Sequence, residues 1–316
     1  MSNMSPRLAR SSVCLLLLAI SRVGIGCADI VDLPDAPTLV GETPSCISSV
    51  AKPLHETAQI TVRTCNFVKN CDVAVSGVKA VLCYRQDANC DYPLPVAIAD
   101  KGDGTMTFEV VTGGPEGKGF NGYLMVTAPE VMCTDKKAFG DSSSGEDPCL
   151  IAIAAKGCDL KAPDERCLLS TYNPALLFFN PPITNDVATP IMLPLLPTLT
   201  AIDYTRAAGT KKVDPTLGSV FATAVDCRGR PTSGVTFGVS SGRPEFGILY
   251  PMDGVATPTS TTTDESGIGG LLGIPPGAQT VNLLQPTGTG SVQTLASETV
   301  QVRSASITYV TLIASQ

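Results

Sequence analysis

Gly234-Val235-Thr236-Phe237-Gly238-Val239-Ser240 sets three apolar side chains, Val235, Phe237 and Val239, in strict alternation with small and polar ones. Successive side chains of extended backbone point to opposite sides, so this period of two puts all three on one face of a half-buried strand. Moving outward, Val300 and Val302, then Val310 and Leu312, repeat the arrangement. The links between carry turn chemistry. Asp264-Glu265-Ser266-Gly267 has Asp first and Gly fourth, as a type I turn prefers, and Asp226-Cys227-Arg228-Gly229 is a second turn of that sort.

The same rhythm begins upstream at Ala58. Ile60-Thr61-Val62, Val78 to Leu82, Thr105 to Val111 and Tyr123 to Thr127 are β-branched or alternating runs separated by Gly, Asn, Asp or Pro. With aromatics at 5%, no Trp, 29 Gly and 25 Pro in 316 residues, the expected class is all-β, built as tandem Greek-key sandwich modules. One excursion, residues 129–173, departs from the strand rhythm and holds four Cys. Within it a short helix is predicted from Pro148 to about Lys156, with Asp147 as its cap, Pro148 in the first helical position and Gly157 as its terminator. The apolar run from Ile191 to Ile202 contains Pro194 and Pro197 and is too short to span a bilayer. A boundary near Leu196 then divides a first module, 57–196, from a second, 197–316.

The two modules share an order of landmarks. Gly77-Val78, the turn ending at Gly104, Thr105 to Val111 and Gly122-Tyr123 correspond to Gly234-Val235, the turn ending at Gly267, Ile268 to Ile274 and Gly277 to Val281. Gly218, Val220, Asp226, Gly229, Pro231, Gly234-Val235, Thr263-Asp264, Gly267, Ile274 and Pro276-Gly277 together resemble the carboxypeptidase regulatory-like modules. That resemblance implies a transthyretin-like sandwich over Leu217 to Ile313, and accessory units without catalytic residues of their own. Cys227 after the turn Asp, and Gly269-Gly270 where an aromatic is common, depart from the pattern. The layout, with Gly122-Tyr123-Leu124 and Phe178-Phe179-Asn180-Pro181-Pro182, is similar to lipoproteins of the myxobacterial type.

The N-terminus sets the expected compartment. Arg7 and Arg10 precede the apolar stretch Val13 to Ile20, and small residues then lead to Cys27, so residues 1–26 read as a signal peptide. Gly24-Ile25-Gly26-Cys27 resembles a bacterial lipobox, which implies that the Cys27 thiol carries lipid; Gly26-Cys27-Ala28 also fits ordinary cleavage after Ala28. Residues 27–56, rich in Pro, Ser and Thr, read as a tether reaching about 90 Å at about 3.3 Å per residue. Of the 12 Cys, ten remain beyond Cys14 and Cys27, an even set suited to disulfides. Proximity favours Cys65 with Cys71, Cys83 with Cys90, Cys133 with Cys149 and Cys158 with Cys167, leaving Cys46 and Cys227. Structural zinc fits poorly, because no CxxC pair occurs and His55 is the single His.

Motifs with the look of chemistry have blander readings. Gly140-Asp141-Ser142 with His55 imitates a hydrolase order, yet His55 sits in the tether and a triad is defined by geometry. Gly113 to Gly119 imitates a phosphate loop, but Thr112 and Gly119 stand where that motif needs Gly and a hydroxyl. Asp100 and Asp103 are two carboxylates where calcium takes six to eight oxygens. The net charge of −7 becomes more negative when the signal segment removes three Arg and no acid, which disfavours nucleic acid as partner. The expectation is a non-catalytic outer-membrane lipoprotein, without cofactor or metal, that is held to the membrane by its lipid anchor. An envelope protein or glycan is its expected partner, and a surface adhesin using residues 129–173 is the alternative.

Overall fold

The computed structural model describes residues 56–69, 71–96, 98–113, 119–139, 147–207, 214–241, 247–252, 255–257, 260–287 and 290–314. The signal segment, Cys27, the tether with Cys46 and His55, and Asp141-Ser142 lie outside the described residues. The chain is all-β, with two α-helices among the described residues.

The first segment supplies β1 (Thr57–Asn66), β2 (Lys79–Tyr84), β3 (Ala99–Asp100), β4 (Thr105–Val111), β5 (Gly122–Thr127), β6 (Glu130–Met132), β7 (Leu168–Ser170), β8 (Ala175–Phe178) and β9 (Ile191–Leu195). Helix α1 (Pro148–Lys156) forms where its caps predict. The Asp147 side chain accepts from the Cys149 N–H at 3.0 Å, and Gly157 closes the helix in the left-handed region at φ 66°. Helix α2 (Thr198–Ala207) follows, and then β10 (Gly218–Val225), β11 (Thr236–Val239), β12 (Gly247–Met252), β13 (Val255–Thr257), β14 (Ile268–Ile274), β15 (Gly277–Pro286), β16 (Val292–Val302) and β17 (Ile307–Ile313). Sequence reading missed α2, because it treated Ile191 to Ile202 as one apolar run. Pro197 divides that run into a strand, β9, and a helix.

The internal repeat is written into the pairing. In the first segment β1 is flanked by antiparallel β4 and parallel β9; in the second, β10 is flanked by antiparallel β14 and parallel β17. Opposite them, β2-β5-β8 corresponds to β11-β15-β16. Even the turn contacts recur: Thr64 N–H donates to Gly104 O at 2.8 Å and Ala224 N–H to Gly267 O at 2.8 Å. Both glycines have positive φ, and a Cβ would stand 2.9 Å from Thr64 O at Gly104 and 2.5 Å from Ala224 O at Gly267. Each copy is therefore a sandwich of the same topology.

The copies do not stay separate. The β2-β5-β8 sheet of the first joins the β12-β14-β10-β17 sheet of the second, with β8 running parallel to β17 from Ala175 opposite Ile307 to Leu177 opposite Tyr309. With β13 at its end, this makes one eight-stranded sheet that crosses the expected boundary near Leu196. Its two faces belong to different cores. Leu82, Leu124, Val126 and Ala175 pack under β1, β4 and β9, whereas Val220, Ala222, Leu271, Val310 and Leu312 pack under β11, β15 and β16. The remaining stretches of both faces are covered as well, which is why Gly122–Thr127 and Ile307–Ile313 are nearly unbroken in burial instead of alternating.

On the outer face of the first sandwich the rings of Tyr123 and Phe178 stack at 4.9 Å. Arg303, in the β16–β17 connection, lies over Tyr123 at 5.9 Å and Arg85 over Phe178 at 5.5 Å. Arg303 Nη2 also donates to Ala88 O at 2.9 Å and to Tyr123 Oη at 3.0 Å, and Arg85 pairs with Glu298 of β16. Ala88 sits in the loop closed by Cys83–Cys90, so that bridge holds the carbonyl that Arg303 grips.

Gly269 and Gly270, which depart from the carboxypeptidase regulatory-like pattern, have a steric reason. A Cβ at Gly269 would stand 2.5 Å from the Phe237 ring and 3.0 Å from Tyr250, and one at Gly270 would stand 3.2 Å from the Phe221 ring. Large rings from neighbouring strands fill the space that a side chain there would need.

In denaturant titrations Gly269→Val is expected to lose about 1–3 kcal/mol through overpacking. Gly238→Ala, whose Cβ meets only the end of Leu284 at 3.2 Å, should stay within about 0.5 kcal/mol of wild type. Arg303→Ala should cost about 2 kcal/mol, and replacing Cys83 and Cys90 by Ser about 2–4 kcal/mol. Measured together they should fall short of additive by at least about 0.5 kcal/mol, because both act on the Ala88 carbonyl.

Candidate functional site

The described residues of the 129–173 excursion, 129–139 and 147–173, form a small cluster on one side of the sheets. Strands β6 and β7 pair antiparallel, and α1 packs on them through a cluster of Cys133, Phe139, Cys149, Ala152, Cys158 and Cys167. The bridges Cys133–Cys149 and Cys158–Cys167 tie α1 to this hairpin from both ends. With Cys65–Cys71 and Cys83–Cys90, four bridges stand among the described residues, and they join the neighbouring pairs expected from proximity. Cys227 is also disulfide-bonded, and its expected partner Cys46 lies outside the described residues. Bridges in this number mark an extracytoplasmic protein.

Between this body and the outer face of the second sandwich lies a cavity of about 290 Å³. Its floor is the central sheet, at Phe221 of β10, Leu272 of β14 and Ile307 of β17. Helix α2 forms one wall. Leu199 and Ile202 pack toward the disulfide cluster, while the Tyr204 ring meets Phe67 edge-on at 6.0 Å. Ile151 of α1 and Leu169 of β7 close the other side.

Hydroxyls along the wall are already engaged by backbone. Ser170 Oγ donates to Tyr172 O at 2.8 Å, Thr198 Oγ1 to Ser170 O at 2.7 Å, and Ser306 Oγ to Arg303 O at 2.8 Å. The described lining is therefore largely apolar in effect, with the buried Asn173 Oδ1, which has no hydrogen-bond partner among the described residues, as an exception. At the rim, Lys156 Nζ donates to Glu130 Oε1 at 3.1 Å and to Leu168 O at 2.8 Å. Burial raises the Tyr204 hydroxyl to about 12 from the ordinary phenol value.

The motifs singled out for chemistry do not converge here. His55 and Asp141-Ser142 lie outside the described residues, as do residues 114–118 of the glycine-rich loop between β4 and β5. Asp103 Oδ1 accepts from Thr105 N–H at 2.9 Å, a contact that holds its carboxyl below the usual range, so it acts as a turn residue. Among the described residues no group of three or more His, Cys, Asp or Glu is placed to hold a metal ion, and no helix is long and apolar enough to cross a membrane. The cavity itself escaped sequence reading. Its signal was α2, whose Leu199, Ile202 and Tyr204 were absorbed into an apolar run or passed over.

No protein-family model matches the chain, and no curated protein matches it significantly.

The raised Tyr204 hydroxyl fixes a pH dependence. The folded chain holds this proton between about pH 10 and 12 while the unfolded chain releases it, so the stabilisation is complete below pH 10 and falls as pH rises toward 12. Unfolding free energy measured from pH 9 to 12 should decline less steeply in Tyr204→Phe than in wild type.

Proposed function

We propose that the chain is a non-catalytic lipoprotein of the cell envelope, fastened by lipid on Cys27 and carrying two sandwiches, the second of them carboxypeptidase regulatory-like, as a rigid binding body. The observation that carries this reading is the conjunction of an export segment ending at a lipobox-like Cys27 with a disulfide-braced body that needs an oxidising compartment. The outer membrane is the expected location, and an envelope protein or glycan the expected partner. The repeated sandwich topology, with β1-β4-β9 matched by β10-β14-β17, supports the family assignment.

Rigidity supports a holding role in preference to a catalytic one. The sandwiches share a sheet, Arg303 and Arg85 pin their outer contacts, and bridges brace the excursion. Such a body presents fixed surfaces at the end of a tether.

Detergent phase separation tests the anchor. Wild-type chain expressed in a lipoprotein-processing host should enter the detergent phase and incorporate labelled palmitate, while Cys27→Ala should remain aqueous and unlabelled. Equal partitioning of the two would end the lipoprotein reading.

A further inference from the structure

We infer that the cavity between α2, the disulfide-braced excursion and the central sheet is a binding site for a small uncharged apolar molecule of one or two rings. This inference adds a ligand class to the non-catalytic binding reading and does not depend on the lipid anchor.

Size sets the upper bound. The cavity measures about 290 Å³, about twice an engineered apolar cavity of about 150 Å³ that admits benzene. Lining sets the polarity: Phe221, Leu272, Ile307, Ile202, Leu169 and Ile151 line it from six elements, β10, β14, β17, α2, β7 and α1. Charge sets the rest. Among the described lining residues the cation is Lys156, and its ammonium is already compensated by Glu130 and by the Leu168 carbonyl. Among the described lining residues a ligand carboxylate or phosphate would therefore meet Glu130 at the rim and no cation that is not already compensated, and would lose its hydration without replacement. Fatty acids and phospholipids fit badly, whereas a neutral aromatic or branched hydrocarbon loses nothing by entering.

The site is also preformed. α1 is fixed by two bridges, and the floor is the middle of an eight-stranded sheet, so entry of a ligand orders little that is not ordered already. Exchange would proceed past the Glu130–Lys156 pair, which is partly exposed on both sides.

The test uses the exported chain carrying Cys27→Ala, purified without detergent, with naphthalene and indole as probes and decanoate as the anionic comparison. Naphthalene or indole should bind saturably and raise the melting temperature, and decanoate should bind at least about tenfold more weakly. Ala201→Phe, which projects a ring from α2 into the cavity, should weaken naphthalene binding at least about tenfold with an unchanged circular dichroism spectrum. Should that variant fail to fold, Leu217→Trp fills the space from a different wall and must give the same loss. Absence of saturable binding, equal binding by the filled variant, or decanoate binding as tightly as naphthalene would each overturn the proposal. Partitioning of the lipidated chain is a separate measurement, so anchor and ligand site can fail independently.

Discussion

Each sandwich carries an apolar outer face that it cannot cover by itself, and the architecture follows from that surplus. The first exposes Tyr123, Leu176 and Phe178 on the side of β2-β5-β8 away from its own core; the second exposes Phe221, Leu272 and Tyr309 on the far side of β10, β14 and β17. Left in water, large side chains of this kind forfeit roughly 1.5–3 kcal/mol each. Joining β8 to β17 places the two surplus faces on opposite sides of one sheet, where each copy supplies cover for the other. Arg303 and Glu298 of the second copy reach over the first, and Phe67 of the first packs against Phe221 of the second at 5.5 Å. A free hinge between the copies would leave both faces wet.

The cover over Tyr123 and Phe178 is made from cations, which suits its half-buried position. Guanidinium carbons lie over both rings, and Arg303 fastens the lid by bonding to the Ala88 carbonyl. That carbonyl needs a fixed loop. The Cys83–Cys90 bridge, the Tyr123 hydroxyl donating to Asp87 O at 2.6 Å, and Asp87 accepting from Tyr92 N–H at 2.8 Å together supply one. A bridge spanning a short loop thus does more than restrict the unfolded chain: it holds an acceptor in place for a contact formed far away in sequence.

How much of this was legible depended on the range of the interaction. Strand alternation at Val235, Phe237 and Val239, the Asp264–Gly267 turn and the caps of α1 are local effects, and residues a few places apart revealed them. The repeat was legible as well, since Gly104 and Gly267 meet the same steric demand in each copy. The fusion through β8 and β17 was not, because edge pairing leaves no periodicity of its own. Its one trace was the continuous burial of the shared strands, which from sequence alone reads as any apolar run. Helix α2 was hidden for a related reason: Pro197 ends β9 and opens the helix within one apolar stretch, so composition stayed constant while conformation changed. The cavity depends on α2 and on the fusion together, so no local pattern announced it.

The position of the cavity follows from the connection between the copies. Chain leaving β9 at Leu195 must reach β10 at Gly218 across the outer face of the second sandwich, and it crosses as a helix. A cylinder laid on a twisted sheet touches it along a line and leaves space at its flank, which Tyr204 fills on one side through Phe67 and which the excursion only roofs on the other. Strand residues there, Leu272 and Ile307, answer to the pairing of the sheet and cannot swell to fill the gap. In a chain assembled from two copies of one sandwich, this seam between copies is the place where geometry is least set by the repeated fold and most by the inserted segment. Two of the four bridges among the described residues, Cys133–Cys149 and Cys158–Cys167, also lie there, around a segment that adds nothing to either sandwich core, while Cys65–Cys71 and Cys83–Cys90 brace β1 and β2.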